Sequence, residues 1–171
     1  RLKTYAKLGY EVYVTGGSEQ SDQNILIEPA NAVETLVEDI VGAAKSIFIA
    51  APYASAACLA KLGDAIKGAT ARGIALEFFI ASTPREDASE TLAKMNVEHA
   101  IRAEGRLCAA IIDEETIWYG TIPLLAFPKK EDCSIRFKNS EIAAELLDEI
   151  NHKGKPDATS TGRTSPPLAV E

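Results

Sequence analysis

The residues best suited to chemistry lie in the stretch from Arg106 to Leu125. An arginine and a cysteine stand two positions apart, and an aspartate and a glycine–threonine pair follow. An arginine guanidinium matches two phosphate oxygens with parallel hydrogen bonds, and a cysteine thiolate is a nucleophile. The stretch is therefore a candidate phosphate site, and its residues of interest are Arg106, Cys108, Asp113, Gly120 and Thr121.

The segments that must position this stretch alternate between strand and helix patterns. Continuous apolar runs at Ser46–Ala51 and 74–81 are typical of strands buried on both faces. Apolar residues at helical spacing predict helices between and after them. Leu107–Ile112 and 116–119 flank an acidic turn and predict a β-hairpin. We therefore expect an α/β fold, a mixed β-sheet sandwiched by helices.

Composition changes divide the chain into three parts. Residues 1–23 contain a short strand-like segment and a polar Gly-Gly run, which predict an N-terminal remnant and a linker. Residues 24–151 carry the regular pattern and form the predicted domain. Residues 152–171 are rich in Lys, Gly, Pro, Ser and Thr, so we expect a disordered tail there.

Overall charge and composition exclude several functions. The formal net charge is −7, which argues against a dedicated nucleic-acid-coating surface. The chain has no phosphate loop of the GxxxxGK[ST] type and no apolar run long enough for a bilayer. Three widely spaced cysteines fit neither a disulfide scaffold nor a CxxC metal site. We expect a cytoplasmic protein without metal, cofactor or membrane contact.

The sequence R-L-C-A-A-I-I-D-E-E-T-I-W-Y-G-T resembles the signature of the phospholipase D-like superfamily, H-x-K-x4-D-x6-G-S-x-N. Asp113 stands at the aspartate position and Gly120 at the glycine position. The resemblance covers about residues 24 to 151 and implies one half of a phospholipase D-like fold. It is similar to the single-copy modules of bacterial helicases and other DNA-processing ATPases.

The departures from this signature concern the catalytic positions. In the family the histidine is the nucleophile and the lysine holds the phosphate, whereas Arg106 and Cys108 stand there in this chain. Arginine stays protonated and cannot attack phosphorus. Cys108 lies in an apolar strand, where a thiol stays neutral. The resemblance implies that Arg106 and Thr121 converge as phosphate-binding residues and that Asp113 orients the arginine.

Three hypotheses follow for the function. The first is a non-catalytic phospholipase D-like module of a larger nucleic-acid-processing protein, expected to be a helicase. It would serve docking, dimerisation or weak phosphate binding, with a second copy or the parent's helicase domains as partners. The second is an active phosphodiesterase or nuclease completed by a second motif in another chain or upstream. The third is a purely structural α/β domain.

Several residues are interpreted structurally instead. Trp118 and Tyr119 are expected to pack, and Gly120 to supply a backbone angle at the strand end. The three cysteines are expected to be small core residues. These are Cys58, Cys108 and Cys133.

Overall fold

The computed structural model describes residues 25–95, 97–101 and 106–153. The predicted N-terminal remnant and linker lie outside the described residues. The last helix continues to Lys153, so residues 152 and 153 are helical and do not begin the tail. The rest of the predicted tail lies outside the described residues.

A seven-stranded sheet forms the centre of the domain. Its strand order is β1-β7-β6-β5-β2-β3-β4. Strands β2, β3 and β4 run parallel to one another, and the other neighbouring pairs are antiparallel. The bounds are β1 Ile25–Ile27, β2 Ser46–Ala51, β3 Ala75–Ile80, β4 Glu98–Ile101, β5 Cys108–Ile112, β6 Thr116–Gly120 and β7 Ser134–Lys138. The predicted mixed sheet is confirmed.

Four helices cover the two faces of the sheet unequally. Helices α1, α2 and α3 share one hydrophobic core with one face, and α4 packs on the other face against a smaller core. Their bounds are α1 Ala32–Gly42, α2 Ala56–Ala71, α3 Glu86–Met95 and α4 Ser140–Lys153. The sandwich of helices around a sheet, expected from the alternating pattern, is therefore present.

Helix α2 shows how local sequence sets the boundaries of an element. The Ser55 hydroxyl oxygen accepts a hydrogen bond from the Cys58 backbone N–H at 3.4 Å, which caps the first turn. Gly73 follows the last turn with φ of +77°, a conformation that glycine adopts without a Cβ clash. The helix thereby starts and stops next to the two parallel strands that it connects. β2 is buried as expected, but only the second half of β3 is buried, so the prediction of burial on both faces is wrong for Ala75–Glu77.

A partly buried ion pair fixes α1 to the sheet. Arg136 donates two hydrogen bonds to the Asp39 carboxylate, at 2.8 and 2.7 Å, and the Trp118 indole N–H donates a third at 2.7 Å. The Arg136 and Asp39 side chains are only 19% and 12% exposed. The sequence pattern did not predict this cluster. The position of Asp39 between the buried Leu36 and Ile40 indicated that its carboxylate would need a partner inside the fold.

The packing predictions have mixed outcomes. Trp118 is fully buried, as predicted, but Tyr119 is 53% exposed, so the prediction for it is wrong. Side chains alternate along β6, which puts Tyr119 on the opposite face, where α4 leaves it uncovered. Cys58 and Cys108 are buried as expected, whereas Cys133 is exposed because it lies in the loop before β7.

Candidate phosphate site

A cavity of about 500 Å³ opens at one edge of the sheet, around the start of β5 and the end of β6. It contains Arg106 and Thr121, the two predicted phosphate-binding residues, together with Cys108 and Gly120. The ends of β2 and β3 supply the rest of the wall. The lining residues are Pro52, Tyr53, Ala81, Ser82, Arg106, Cys108, Gly120 and Thr121.

Strand direction explains why these residues meet. β2 and β3 are parallel, so both end at this edge, and β5 is antiparallel to β2, so it begins there. Ala50 and Ala109 are the last paired residues of β2 and β5 at this edge, and Tyr53 and Arg106 lie just beyond the paired region. Cys108 pairs with Gly120 across the hairpin, which brings Thr121 to the same edge. The site is thus built from the ends of four neighbouring strands.

Among the described residues that line the cavity, Arg106 is the one that carries a formal charge. Its side chain is exposed, and no hydrogen bond or ion pair links it to another described side chain. β5 is the central strand of the sheet, so this cation stands in the middle of the edge. Its five N–H donors are available to an anion that enters the cavity.

Thr121 has a hydroxyl that is already engaged with the chain. It accepts a hydrogen bond from the Cys133 backbone N–H at 3.0 Å and donates one to the Cys133 carbonyl oxygen at 3.3 Å. The second bond is long, and donation to a phosphate oxygen would replace it. Thr121 can therefore contribute to anion binding only by exchanging one partner for another.

Gly120 is required because two strands approach each other closely here. The expectation that it supplies an unusual backbone angle is wrong. Its φ is not positive. A Cβ at this position would overlap the Cys133 carbonyl oxygen and lie 2.6 Å from the Ser134 hydroxyl oxygen. Among the described residues, that hydroxyl is the buried side-chain polar atom without a hydrogen-bond partner. The absence of a side chain at Gly120 lets β7 approach β6 here.

Cys108 lies in the cavity wall with a poorly ionised thiol. Burial raises its pKa above the ordinary cysteine value, and the nearby negative charge of Asp132 raises it further. The thiol faces the carbonyl oxygens of Arg106 and Thr121 at 3.8 and 3.7 Å. The sulfur therefore stays a neutral thiol, which agrees with the expectation for an apolar strand.

Asp113 lies at the far end of β5 and does not orient Arg106. Six residues of extended chain lie between the two, which corresponds to a distance of roughly 23 Å. The Asp113 carboxylate instead accepts hydrogen bonds from the backbone N–H groups of Ala44, Lys45 and Ser46, at 2.6 to 3.1 Å. The prediction that Asp113 orients the arginine is wrong, because the carboxylate caps the chain where it enters β2.

The electrostatics of Asp113 reflect these contacts. Partial burial acts to raise its pKa, but the backbone hydrogen bonds from Lys45, Ala44 and Ser46 and the charge of Lys45 outweigh burial, so the pKa is lowered. Asp113 and Glu114 both have positive φ, +57° and +58°. The acidic turn between β5 and β6 is therefore left-handed at two positions, which aspartate tolerates better than glutamate.

Tyr53 and Ser82 belong to the cavity and were missed by sequence analysis. Each follows the end of a buried parallel strand, Tyr53 after β2 and Ser82 after β3. The carboxyl ends of adjacent parallel strands lie at the same edge of a sheet, so this position was a usable signal. Tyr53 is 42% exposed and presents an aromatic ring at the rim.

The two histidines of the chain lie in other elements. His99 is in β4, at the far edge of the sheet and three strands away from β5, which corresponds to about 14 Å. His152 is in the last turn of α4. No histidine lines the cavity among the described residues.

The described residues contain neither a candidate metal site nor a candidate membrane span. Within residues 25–95, 97–101 and 106–153, no three His, Cys, Asp or Glu side chains are grouped to hold a metal ion. No helix in the same ranges has the length and apolar character to cross a bilayer.

Comparisons with other proteins identify the fold. The sequence matches no protein-family model, and no curated protein matches it. NucT from Helicobacter pylori is similar in structure, with a TM-score of 0.60 and 18% identity, over 76% of this chain and 94% of NucT. Nuc from Salmonella typhimurium, described as a phospholipase D family member, gives 0.60 and 16% over 76% of this chain and 93% of Nuc.

A third similar structure is TrmBL2, described as an archaeal chromatin protein with a novel mode of DNA binding. Its TM-score is 0.56 with 15% identity, over 89% of this chain and 57% of TrmBL2. At these identities the comparisons concern the arrangement of strands and helices. The mixed α/β fold of the described residues is therefore similar to that of NucT and of Nuc, the second of which is described as a phospholipase D family member.

Proposed function

We propose that this chain is a non-catalytic phospholipase D-like module that binds phosphate esters weakly and serves a larger nucleic-acid-processing protein. One observation carries the proposal. The cavity at the edge of the sheet contains a single cation, Arg106, and no acidic residue among its described lining. Such a site favours an anion with one or two charges, in a chain whose net charge is −7.

Arg106 and Cys108 stand at the catalytic positions of the signature and lie in the cavity wall, but neither can act as a nucleophile. Arg106 has no lone pair to offer, because guanidinium remains protonated at physiological pH. The Cys108 thiol is neutral, since burial raises its pKa. The hydroxyls of Tyr53, Ser82 and Thr121 also line the cavity, but the described lining has no histidine, carboxylate or lysine that could act as a general base and activate them.

The larger context is a DNA-processing protein, and we propose a helicase in the cytoplasm. The sequence resembles the single-copy modules of such proteins, and the fold also occurs in a protein described as a chromatin protein. A second copy or the helicase domains of the parent would be the docking partners. Docking and weak phosphate binding are compatible, because the cavity occupies only one edge of the sheet.

Titration of a fluorescently labelled oligonucleotide at two salt concentrations tests the binding. We expect weak binding whose salt slope corresponds to one or two released counterions. Arg106→Ala should abolish it. Lys67→Ala is the matched control, because it removes one exposed cation from α2, away from the cavity. Binding that is tight, steeply salt-dependent or indifferent to Arg106 would contradict the proposed site.

Hydrolysis of bis-p-nitrophenyl phosphate tests the absence of catalysis. We expect no turnover above the uncatalysed rate, with or without a chelator. Turnover that survives the chelator and disappears in Cys108→Ser would show that the cavity is catalytic and would overturn the proposal.

A further inference from the structure

The cavity has an aromatic wall as well as a cation. Tyr53 stands at its rim with 42% of its surface exposed, directly after the buried end of β2. Tyr53 and Arg106 both line the cavity, so the ring and the guanidinium belong to the same site. Four other lining residues are small or apolar: Pro52, Ala81, Cys108 and Gly120.

We infer that the cavity takes one nucleotide, with the phosphate on Arg106 and the base stacked on Tyr53. The inference rests on the proposed phosphate binding and extends it to a substrate class. A site that held inorganic phosphate alone would have no use for an exposed aromatic ring and apolar walls. Stacking of a base on an aromatic side chain is tolerant of sequence, because each base has a flat face.

The size of the cavity separates a nucleotide from a duplex. Its volume of about 500 Å³ lies within the range of small-molecule pockets, roughly 300–1,000 Å³. In a duplex the bases are paired and stacked, so none can lie against Tyr53 without being unstacked first. A base that is free in a single strand, or in a mononucleotide, has no such cost. The cavity therefore favours unpaired nucleotides over duplex.

The single cation supports the same ligand. Duplex binding usually engages several phosphates through several basic side chains, and affinity rises with their number. Here Arg106 is the only basic residue of the described lining, and Asp132 brings a negative charge close to Cys108. One phosphate can be held by one guanidinium fork, whereas a tract of phosphates would meet the acidic remainder of the chain.

The test uses the full chain and compares four variants by NMR titration and by anisotropy. The probes are inorganic phosphate, adenosine 5′-monophosphate, a single-stranded twelve-nucleotide DNA, the same strand with abasic positions, and its duplex. Tyr53→Ala should weaken binding of the monophosphate and the single strand by about tenfold, the usual effect of removing one stacking partner. It should leave binding of phosphate and the abasic strand unchanged.

Three further variants make this result specific. Tyr53→Phe keeps a stacking ring and should bind as the unmodified chain does. Tyr119→Ala removes another exposed tyrosine, one that does not line the cavity, and should have no effect. Tyr53→Leu keeps apolar bulk without a flat ring and should lose binding as Tyr53→Ala does. This variant keeps the test decisive if Tyr53→Ala has a lowered melting temperature.

The outcomes distinguish this inference from the proposed function. If the probes bind through Arg106 but Tyr53→Ala binds the monophosphate and the single strand normally, nucleotide recognition is wrong and phosphate binding stands. If the duplex binds as tightly as the single strand, nucleotide recognition is also wrong. If no probe binds, both proposals fail. Equal affinity for the monophosphate and the single strand would support the inference and identify a free nucleotide as a sufficient ligand.

Discussion

The two ends of the β5–β6 hairpin differ in how they use their polar groups. At the turn end, the Asp113 carboxylate is fully engaged by the backbone N–H groups of residues 44–46. At the open end, Arg106 has no hydrogen-bond or ion-pair partner among the described side chains and faces a cavity. One short sequence stretch thus contains a residue that holds the fold together and a residue that is available to a ligand.

This contrast predicts that substitutions at the turn end change stability, whereas substitutions of the cavity side chains change binding. Gly120 is the exception, because it lies at the open end but has a packing role. The following substitutions test the contrast, in order of the expected change.

Gly120→Ala should have the largest effect, a loss of about 3 kcal/mol in the free energy of unfolding. The new methyl group would overlap the backbone of Cys133 and Ser134, which cannot move as a flexible side chain can. Urea unfolding followed by circular dichroism measures the change. Gly42→Ala is the control, because a Cβ there meets no atom within 4 Å, and it should be neutral or slightly stabilising. Equal stability of the two variants would disprove the role of close approach.

Asp113→Ala should cost about 2 kcal/mol, because three backbone N–H groups lose a charged acceptor that is partly open to water. Binding of the labelled oligonucleotide should not change once the variant is folded. Asp64→Ala, which removes an exposed carboxylate from α2, should leave stability within about 0.5 kcal/mol. Loss of binding in folded Asp113→Ala would show that Asp113 affects the cavity, and it would contradict the separate roles of the two ends of the hairpin.

The same contacts should make the free energy of unfolding depend on pH at acidic pH, with a smaller effect than that of Asp113→Ala. The folded-state pKa of Asp113 is lowered from 3.8, so its contribution is fully present above the unfolded pKa and is lost as the pH falls through the folded value. Unfolding curves between pH 5 and pH 2 measure it. Asp113→Asn should lower stability less at pH 2 than at pH 5. A difference that does not shrink on acidification would contradict the assigned contacts.

Glu114→Gly should stabilise the chain by roughly 0.5–1 kcal/mol. Glutamate at φ of +58° bears a steric cost that glycine does not have, and this gain exceeds the added freedom of the unfolded chain. Thermal melting measures the shift. Glu115→Gly, one residue further and without a positive φ, should instead be destabilising by a similar amount. A common sign for both variants would disprove strain at residue 114.

Arg106→Ala should have the smallest effect on stability, below about 0.5 kcal/mol, because the side chain is exposed and makes no described polar contact. Its effect on oligonucleotide binding should be complete. Urea unfolding and anisotropy on the same preparation check both statements. A large loss of stability would place Arg106 with Asp113 among the residues that hold the fold.

Local features of the sequence predicted most elements of the fold. The apolar run of β2 and the hairpin of β5 and β6 follow from neighbouring residues, and the structure has them where they were expected. Arg106 and Thr121 lie at one edge of the sheet, as the resemblance implied.

Features that depend on distant residues were not predicted. The partners of Asp113 lie 67 to 69 positions away, so the sequence around the turn gives no sign of them. The pairing of Asp39 with Arg136 spans 97 positions. Tyr53 and Ser82 enter the cavity only because β3, β2 and β5 are neighbours, and strand order does not follow from periodicity.

The position of β1 has a consequence for the order in which the domain can assemble. In the described sheet β1 pairs only with β7, more than a hundred residues later in the chain. During synthesis on the ribosome, Ile25–Ile27 must therefore wait until Ser134–Lys138 has emerged. Strands β2 and β3, like β5 and β6 of the hairpin, pair with segments that are closer in the sequence. Their contacts therefore have a lower contact order. Among the described strands, the one that is synthesised first is among the last to join the sheet.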